Sequence, residues 1–571
     1  MAGGADQSAF GLLFFDPVLQ GAYKSWLKQL FTEKNPYSGV PLARDASVAL
    51  VQIQNEDSLL FWTVGGIKGA QRAALETRFA QFAAGKHGSA AKALAAWGGD
   101  TVTGDAPDEG RLALINLWEL TQSARGTRAL RLAEQTEFYA RTMWEFNRMI
   151  VAYLRDELGV GSLINAGNWK TASAVRLGDA ERWSYTAADV DAANVYTAGL
   201  HEGPNRGWAV MPGDRYTSQS VLQNPKLLPI NLKQTAGRPM LVTEGAWVMP
   251  NAYAAEGPFL VSAYASLTGI DGYFWFSTGD EGWAPPQSAN GYLASQLKWT
   301  FATPEMLGSF PAAALAYRRG DVQRGAPVVI ENRSLADLWT RKTPVITEEP
   351  SYDPNRDSGD IAERSSIQTG VPGEAFLVGP VQVAFDADPA KSKLAPLGKW
   401  MSADALRSNT GEIVMSPRLG RCTVDAPRVQ GVVAHFDAAS ATTRLTDVQF
   451  TSRNTYGAAM AISLDDEPLR RSHRVLVQYA TQSRPTGWAE RPATWVMGGK
   501  PAVSGLEITS IGGAPWRVVS AQLEVAIDNP SLTTATALDM NGMPLKAVPL
   551  RRDAQRVAFS FPDSAMYVVL R

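Results

Sequence analysis

Two glutamates each follow a short apolar run of the kind that forms a buried strand. Glu56 follows the run 47–54, and Glu244 follows the run 240–242. At the carboxyl ends of parallel strands, two such carboxyl groups could cleave a glycosidic bond with retention of configuration. One would protonate the leaving oxygen and later deprotonate water, while the other attacks the anomeric carbon. Each glutamate alone could instead be a strand-end carboxylate paired with a nearby arginine such as Arg238.

Further polar and aromatic residues come close to the ends of the predicted strands. A pyranose ring has an apolar side, so aromatic side chains in a cleft suit a sugar, although each could equally belong to the core. The candidates of this kind for sugar contacts are Asn168, Trp169, His201, Trp247 and Trp62. Four other acidic residues near strand ends are predicted to be loop charges and are the reserve candidates for the catalytic pair: Asp57, Glu202, Asp280 and Glu281.

The elements that must position these residues alternate between strand and helix. Asp16 followed by Pro17 is typical of a helix start, and residues 65–158 are predicted to be mostly helical. Another helix is predicted at 256–267. The predicted strands are 47–54, 161–165, 190–196, the run that begins at Met240, and 270–276. Strand and helix in alternation predict a parallel sheet or barrel over residues 1–325, with the helices of about 65–158 as an insertion.

The pattern changes after about residue 325. Short apolar runs at 327–330, 381–385, 431–436, 475–479 and 566–570 lie between turn-forming residues. This spacing is typical of sandwich-like domains. We therefore predict one or two all-β domains over residues 326–571, after a long polar connector at 347–373.

Composition restricts the function classes. The chain has 571 residues with 54 Lys and Arg, 56 Asp and Glu and a net charge of -2, which argues against a nucleic-acid partner. One cysteine, Cys422, excludes an internal disulfide and a thiolate zinc cluster, and four scattered histidines argue against a metal site. We expect no membrane span and no cofactor. The start lacks a signal peptide, which predicts a cytoplasmic protein as written, or a periplasmic or secreted one if the natural start is longer.

Four strand ends resemble those of clan A glycoside hydrolases, in particular family 5-like retaining β-glycosidases. Residues 51–56 (VQIQNE) resemble the fourth barrel strand, in which an Asn precedes the acid/base. Residues 239–244 (PMLVTE) resemble the seventh strand, which ends in the nucleophile. The resemblance implies that Glu56 is the acid/base and Glu244 the nucleophile. It also implies that Asn55 holds the substrate 2-hydroxyl, that Tyr196 orients the nucleophile, and that Trp275 stacks on the sugar.

The resemblance leaves three strands of such a barrel unassigned. If residues 48–56 correspond to the fourth strand, nothing in the chain corresponds to the first three, so we expect an incomplete (β/α) TIM-type barrel followed by the all-β region. The gap could be patched by the chain's own elements, covered by another subunit, or explained by a start that is not the natural one. We expect a self-associating homo-oligomer.

The expected function is that of a retaining β-glycosidase. A β-galactoside is the preferred substrate, and a glucan or mannan is the alternative. The rival hypothesis is a non-catalytic carbohydrate-binding protein on a degenerate barrel, and a third possibility is a structural protein in which the barrel remnant is only a scaffold. A binding protein has no need of a second glutamate at the strand ends, which favours the enzyme.

Overall fold

The computed structural model describes residues 9–204, 209–277, 296–349, 369–436, 441–496 and 501–571. The helices in these ranges lie almost entirely before residue 320, as predicted, and none is long and apolar enough to cross a membrane. Their bounds are α1 Pro17–Thr32, α2 Gly69–His87, α3 Ala90–Ala96, α4 Leu117–Thr121, α5 Gly126–Ala152, α6 Ala174–Tyr185, α7 Glu256–Thr268, α8 Pro304–Leu307, α9 Phe310–Arg319 and α10 Leu335–Trp339.

The first part of the chain also contains ten strands in the described ranges. These are β1 Leu50–Gln52, β2 Leu163–Asn165, β3 Asp191–Thr197, β4 His201–Glu202, β5 Ala209–Val210, β6 Arg215–Tyr216, β7 Gln234–Thr235, β8 Met240–Trp247, β9 Gly272–Trp275 and β10 Gln296–Leu297. Every strand predicted in this region is present. The first is shorter than predicted, and it begins later because Asp45 accepts hydrogen bonds from the Ser47 amide and hydroxyl, which hold residues 45–47 in a turn.

Five of these strands form one parallel run. β1 pairs with β2, and a bridge between Asn165 and Val190 joins β2 to the start of β3. β3 pairs with β8, and β8 with β9. Among the described residues the run begins at β1 and ends at β9. Because all five strands point the same way, the segments that follow them meet at one edge of the sheet.

The remaining strands form the all-β region. They are β11 Val329–Arg333, β12 Val381–Phe385, β13 Lys393–Leu394, β14 Leu406–Arg407, β15 Ile413–Ser416, β16 Arg421–Ala426, β17 Val429–His435, β18 Thr442–Arg444, β19 Val448–Ser452, β20 Tyr456–Ser463, β21 Val475–Ala480, β22 Ser483–Trp495, β23 Val503–Val518, β24 Leu523–Ile527, β25 Ala535–Leu538, β26 Pro544–Ala547, β27 Arg551–Arg552, β28 Val557–Ser560 and β29 Tyr567–Leu570. The predicted mixed α/β region followed by an all-β region is confirmed.

A nine-stranded sheet and a five-stranded sheet pack face to face in this region. The larger sheet has the order β14-β15-β16-β17-β20-β21-β29-β25-β26, and the smaller one has the order β18-β19-β24-β28-β27. Residues such as Val432 and Val477 of the larger sheet share a core with Phe450 and Phe559 of the smaller. The other face of the larger sheet packs on the helix α7, whose Phe259 lies in a common core with Val433 on β17. The central strands are thus buried on both faces.

Two small sheets join the first part of the chain to the second. β7 pairs with β12 next to β11, and β6 pairs with β23 of the long β22–β23 hairpin. Behind the first of these sheets, the ammonium group of Lys233 lies between Asp179 on α6 and Glu331 on β11, at 3.1 and 3.0 Å. All three side chains are buried, so the two parts share a desolvated ion network.

Candidate active site

Glu56 follows β1 by four residues and is held in an unusual backbone conformation. Its φ angle is 49°, in the left-handed region that few residues other than glycine adopt. Its amide donates a hydrogen bond to Oδ1 of Asn168, which follows β2, at 3.0 Å. Nδ2 of Asn168 in turn donates to Oδ1 of Asn55 at 2.9 Å. The loops after β1 and β2 are therefore tied together at the predicted acid/base.

Asn194 connects the two predicted catalytic strand ends. It lies on β3, is 4% exposed, and donates from Nδ2 to Oε1 of Glu56 at 2.9 Å. Its Oδ1 accepts a hydrogen bond from Thr243, the residue before Glu244, at 2.8 Å. Its own amide donates to the carbonyl oxygen of Asn168 at 2.9 Å. One buried side chain thus spans the distance between the acid/base loop and β8.

Glu244 lies at an irregularity of β8. Val242 pairs with Ala193, but Glu244 pairs with the very next residue of β3, Asn194, so β8 contains one extra residue at this point. The pairing with β9 shows the same excess between Val242 and Gly245. A bulge of this kind redirects side chains at a strand end. The Tyr196 hydroxyl donates to Oε2 of Glu244 at 2.5 Å, and both side chains are half-buried.

Aromatic rings cover the Tyr196 side of this cluster. The Tyr196 ring contacts Trp299 edge-on, with ring centroids 4.5 Å apart, and Phe276 at 6.3 Å. Trp299 is buried, whereas Phe276 is 37% exposed. Sequence reasoning missed both residues. Trp299 follows the short strand β10, far from any strand end used in the prediction, and no sequence signal placed it here.

Trp275 and Trp247 lie together in a different environment. Trp247 is 1% exposed and donates from Nε1 to Oε1 of Glu256 at 3.1 Å. Trp275 is half-buried, with its ring 6.1 Å from Trp247 and 5.2 Å from Phe310. Trp247 is three positions beyond Glu244, and residues at odd separations in a strand point to opposite faces. The structure places Trp247 in the core, and the sugar-stacking role of Trp275 stays a prediction.

The remaining predicted sugar contacts are divided between the surface and the interior. Asn55 is exposed and Asn168 is buried, and they contact each other. Trp169 is half-buried and packs edge-on against Phe61, with ring centroids 5.0 Å apart. Trp62 is half-buried beside Trp118, at 6.3 Å. Asn168 therefore joins the cluster around Glu56, and the roles of Trp169, Trp62 and Asn55 stay predictions.

His201 is in the interior, and the reserve acids differ in their surroundings. His201 is 2% exposed, with Nε2 at 2.8 Å from Oδ2 of the buried Asp214. Asp57 accepts hydrogen bonds from the Gly11 amide at 2.8 and 3.0 Å, and burial raises its pKa to about 6. Glu202 is half-buried on β4. The other two reserve candidates, Asp280 and Glu281, lie outside the described residues.

The assembled cluster contains carboxylates, amides, a phenol and indoles. In the described part of the chain, no group of three or more His, Cys, Asp or Glu side chains is arranged to hold a metal ion. The arrangement suits proton transfer and nucleophilic attack by carboxyl groups. No protein-family model matches this chain, and no curated protein is significantly similar to it.

Proposed function

We propose that the protein is a retaining β-glycoside hydrolase, with Glu244 as the nucleophile and Glu56 as the acid/base. The observation that carries this proposal is the position of Asn194. Its side chain contacts Glu56 at one end and Thr243, the neighbour of Glu244, at the other. An amide that bridges the two strand ends in this way brings the two carboxyl groups to the same small region, as a double displacement at one anomeric carbon requires.

The chemistry proceeds in two displacements. The Glu244 carboxylate attacks the anomeric carbon while Glu56 gives its proton to the departing oxygen, which yields a glycosyl ester on Glu244. Glu56 then removes a proton from water, the water oxygen attacks the same carbon, and the Glu244 carboxylate departs. The Tyr196 hydroxyl donates to Glu244 and orients it for the attack. The phenolic donor also stabilises the negative charge that returns to Glu244 in the second step.

We propose that the five parallel strands correspond to the last five strands of a (β/α) barrel. Their order β1-β2-β3-β8-β9 follows the order in the chain, as it does in such a barrel. The substrate in this account is a β-linked oligosaccharide or polysaccharide. A β-galactoside is our first choice, and β-glucan and β-mannan are the alternatives.

A carbohydrate-binding protein without turnover is the second candidate. The observation in its favour is that the described parallel run begins at β1 and ends at β9 with no pairing between these two strands, so the described strands leave the run open. A binding protein tolerates an open cleft of this kind better than an enzyme that must exclude water.

A panel of nitrophenyl β-glycosides tests the proposal. We expect turnover by the wild type and a loss of at least about a thousandfold in Glu244→Gln, with sugar binding kept. Glu56→Gln should lose about 10²- to 10⁴-fold and be rescued by azide on activated substrates. Glu202→Gln, the matched control at another strand end, should stay within about twofold. Unchanged turnover in Glu244→Gln would refute the nucleophile, and sugar binding with no turnover in the wild type would support the second candidate.

A further inference from the structure

The helix α6 carries a buried carboxyl group that accepts hydrogen bonds on both of its oxygens. Glu181 is 3% exposed. Its Oε2 accepts a hydrogen bond from the Ser58 hydroxyl at 2.5 Å, and its Oε1 accepts one from the Tyr185 hydroxyl at 2.7 Å. Tyr185 is one helical turn further along α6, so the two side chains share a face of the helix. Neither of these two hydrogen bonds joins Glu181 directly to Glu56 or Glu244, the proposed reacting groups.

The hydrogen bond from Ser58 connects Glu181 to the loop after β1. Ser58 is fully buried and is only two residues beyond Glu56. Its hydroxyl also accepts a hydrogen bond from the Leu60 amide at 2.8 Å, so the donor to Glu181 is fixed in the turn. Asp57, between Glu56 and Ser58, accepts from the Gly11 amide. The C-terminal side of Glu56 is thereby anchored to α6 through Ser58.

The hydrogen bond from Tyr185 connects Glu181 to the loop after β2. The Tyr185 hydroxyl accepts a hydrogen bond from the Trp169 amide at 3.0 Å. Trp169 follows Asn168, whose Oδ1 accepts from the amide of Glu56 at 3.0 Å. A closed ring of hydrogen bonds and peptide links therefore runs from Glu56 through Ser58, Glu181, Tyr185 and Trp169 back to Glu56.

We propose that Glu181 is a positioning residue for the acid/base Glu56 and that it acts through this ring. The proposal rests on the glycosidase function proposed above. An ionised carboxylate accepts from both hydroxyl groups at once, whereas a protonated carboxyl must donate with one oxygen. Ionised Glu181 holds the loops after β1 and β2 together. Protonation of Glu181 weakens its hydrogen bond with Ser58 or with Tyr185, and Glu56 then moves away from the glycosidic oxygen that it must protonate.

The charges around Glu181 place this change in an accessible pH range. The pKa of Glu181 is raised to about 7, chiefly by burial and in part by the nearby negative charge of Asp57, while the hydrogen bonds from Ser58 and Tyr185 and the charge of Arg182 oppose the rise. Met143, which packs against Ser58 from α5, carries no charge. Replacing Asp57 by Asn removes the like charge, so the ionisation midpoint of Glu181 should then fall.

A fluorine NMR titration tests the ring without any need for turnover. The protein is labelled with 5-fluorotryptophan, and the Trp169 resonance is assigned from its loss in Trp169→Phe. In the wild type this resonance should shift with a midpoint near pH 7, and Asp57→Asn should lower the midpoint. Glu181→Gln should abolish the shift. The control Glu305→Gln, another buried carboxyl whose pKa burial raises to about 7, should leave it unchanged. A full Trp169 shift in Glu181→Gln would overturn the proposal.

Kinetics with two leaving groups separate positioning from a general structural role. A dinitrophenolate leaves without a proton, so kcat/KM for a dinitrophenyl β-glycoside does not depend on the acid. We expect Glu181→Gln to lower kcat/KM by about 10- to 100-fold for an alkyl β-glycoside and by less than about threefold for the dinitrophenyl one. An equal loss on both would contradict positioning. If the wild type turns over no glycoside, the proposed function and the positioning role fail, while the Trp169 titration still decides whether Glu181 holds the two loops together.

Discussion

Asn194 and Glu56 are 138 residues apart in the chain, yet Nδ2 of Asn194 donates to Oε1 of Glu56 at 2.9 Å. This bond crosses from β3 to the loop after β1, over the end of the intervening strand β2. The same side chain contacts Thr243 on β8. A single amide thus contacts both the proposed acid/base and the neighbour of the proposed nucleophile.

Asn194→Ala should therefore lower activity more than the removal of one small side chain would suggest. The variant loses two hydrogen bonds, to Glu56 and from Thr243, of about 0.5–1.5 kcal/mol each, which together correspond to roughly a 5- to 150-fold loss in kcat/KM. Thr243→Val removes only the hydroxyl at the other end and should cost less than about tenfold. Steady-state kinetics on an unactivated β-glycoside measure both. A larger loss in Thr243→Val than in Asn194→Ala would refute the role assigned to Asn194.

Four carboxyl groups with raised pKa values should make the protein more stable in mild acid than in mild alkali. Burial raises the pKa of Asp57 to about 6 and those of Glu181, Glu256 and Glu305 to about 7. In the unfolded chain these groups titrate near pH 4. Between about pH 4 and 7 the folded protein therefore binds more protons, and its stability falls as the pH rises.

We expect Tm to be higher at pH 5 than at pH 8. The contribution of the raised carboxyl groups is complete below about pH 4 and is lost as the pH passes 7. Groups with a lowered pKa, such as Asp179, limit stability at the acidic end: burial opposes its ionisation, but the charges of Lys233, Arg182 and Arg333 together outweigh burial. Scanning calorimetry across this range measures the trend, and Glu305→Gln should flatten it. A Tm that rises steadily from pH 5 to pH 8 would contradict this account.

The buried ammonium of Lys233 should stabilise the contact between the first and second parts of the chain. Lys233→Met removes the ammonium that Asp179 and Glu331 share, while Asp179 keeps Arg182 at 2.8 Å and Glu331 keeps Arg333 at 3.2 Å. The loss of these charged hydrogen bonds should cost about 1.5–3 kcal/mol. The control Lys342→Met breaks an ion pair of 3.2 Å with Asp337, in which the lysine side chain is 60% exposed, and should cost less than about 1 kcal/mol. Urea unfolding compares them. Equal destabilisation by the two variants is the outcome that this interpretation does not allow.

Self-association with a second copy of the chain stays a prediction, and the exposed face of α1 is the surface where we expect it. Val18, Trp26 and Leu30 are 77%, 55% and 42% exposed. Val18 and Trp26 are eight positions apart and Trp26 and Leu30 are four apart, so the three form a slanted apolar stripe along the helix. Light scattering after size exclusion should show a dimer or larger oligomer at micromolar concentration. Trp26→Glu should shift it to the monomer, whereas Lys28→Glu on another face should not. A monomeric wild type would refute the prediction.

The sequence predicted the elements well because their signals are local. Asp16 caps α1, accepting from the amides of Val18 and Leu19 at 2.9 and 3.1 Å, as an Asp before a Pro should. The apolar stripe of α5, including Tyr139 and Phe146, is buried as its helical spacing predicted.

The site was harder to predict because its contacts join distant segments. Asn194 could have been found from strand parity, since it is two positions before Tyr196 and faces the same side. By the same alternation, Trp247, three positions beyond Glu244, would have been predicted to face the core. Glu181 and Trp299 had no such signal, because they reach the site from a helix and a loop whose positions only the tertiary packing defines.

Trapping of the covalent intermediate tests the central claim most directly. A 2-deoxy-2-fluoro β-glycoside with a dinitrophenolate leaving group slows both displacements, but the leaving group restores the first, so a glycosyl enzyme accumulates. Peptide mass spectrometry should then show one added fluorosugar on Glu244, and no label in Glu244→Gln. A label on Asp57, Glu202 or any other carboxylate, or a wild type that turns over β-glycosides without any label on Glu244, would contradict the assignment.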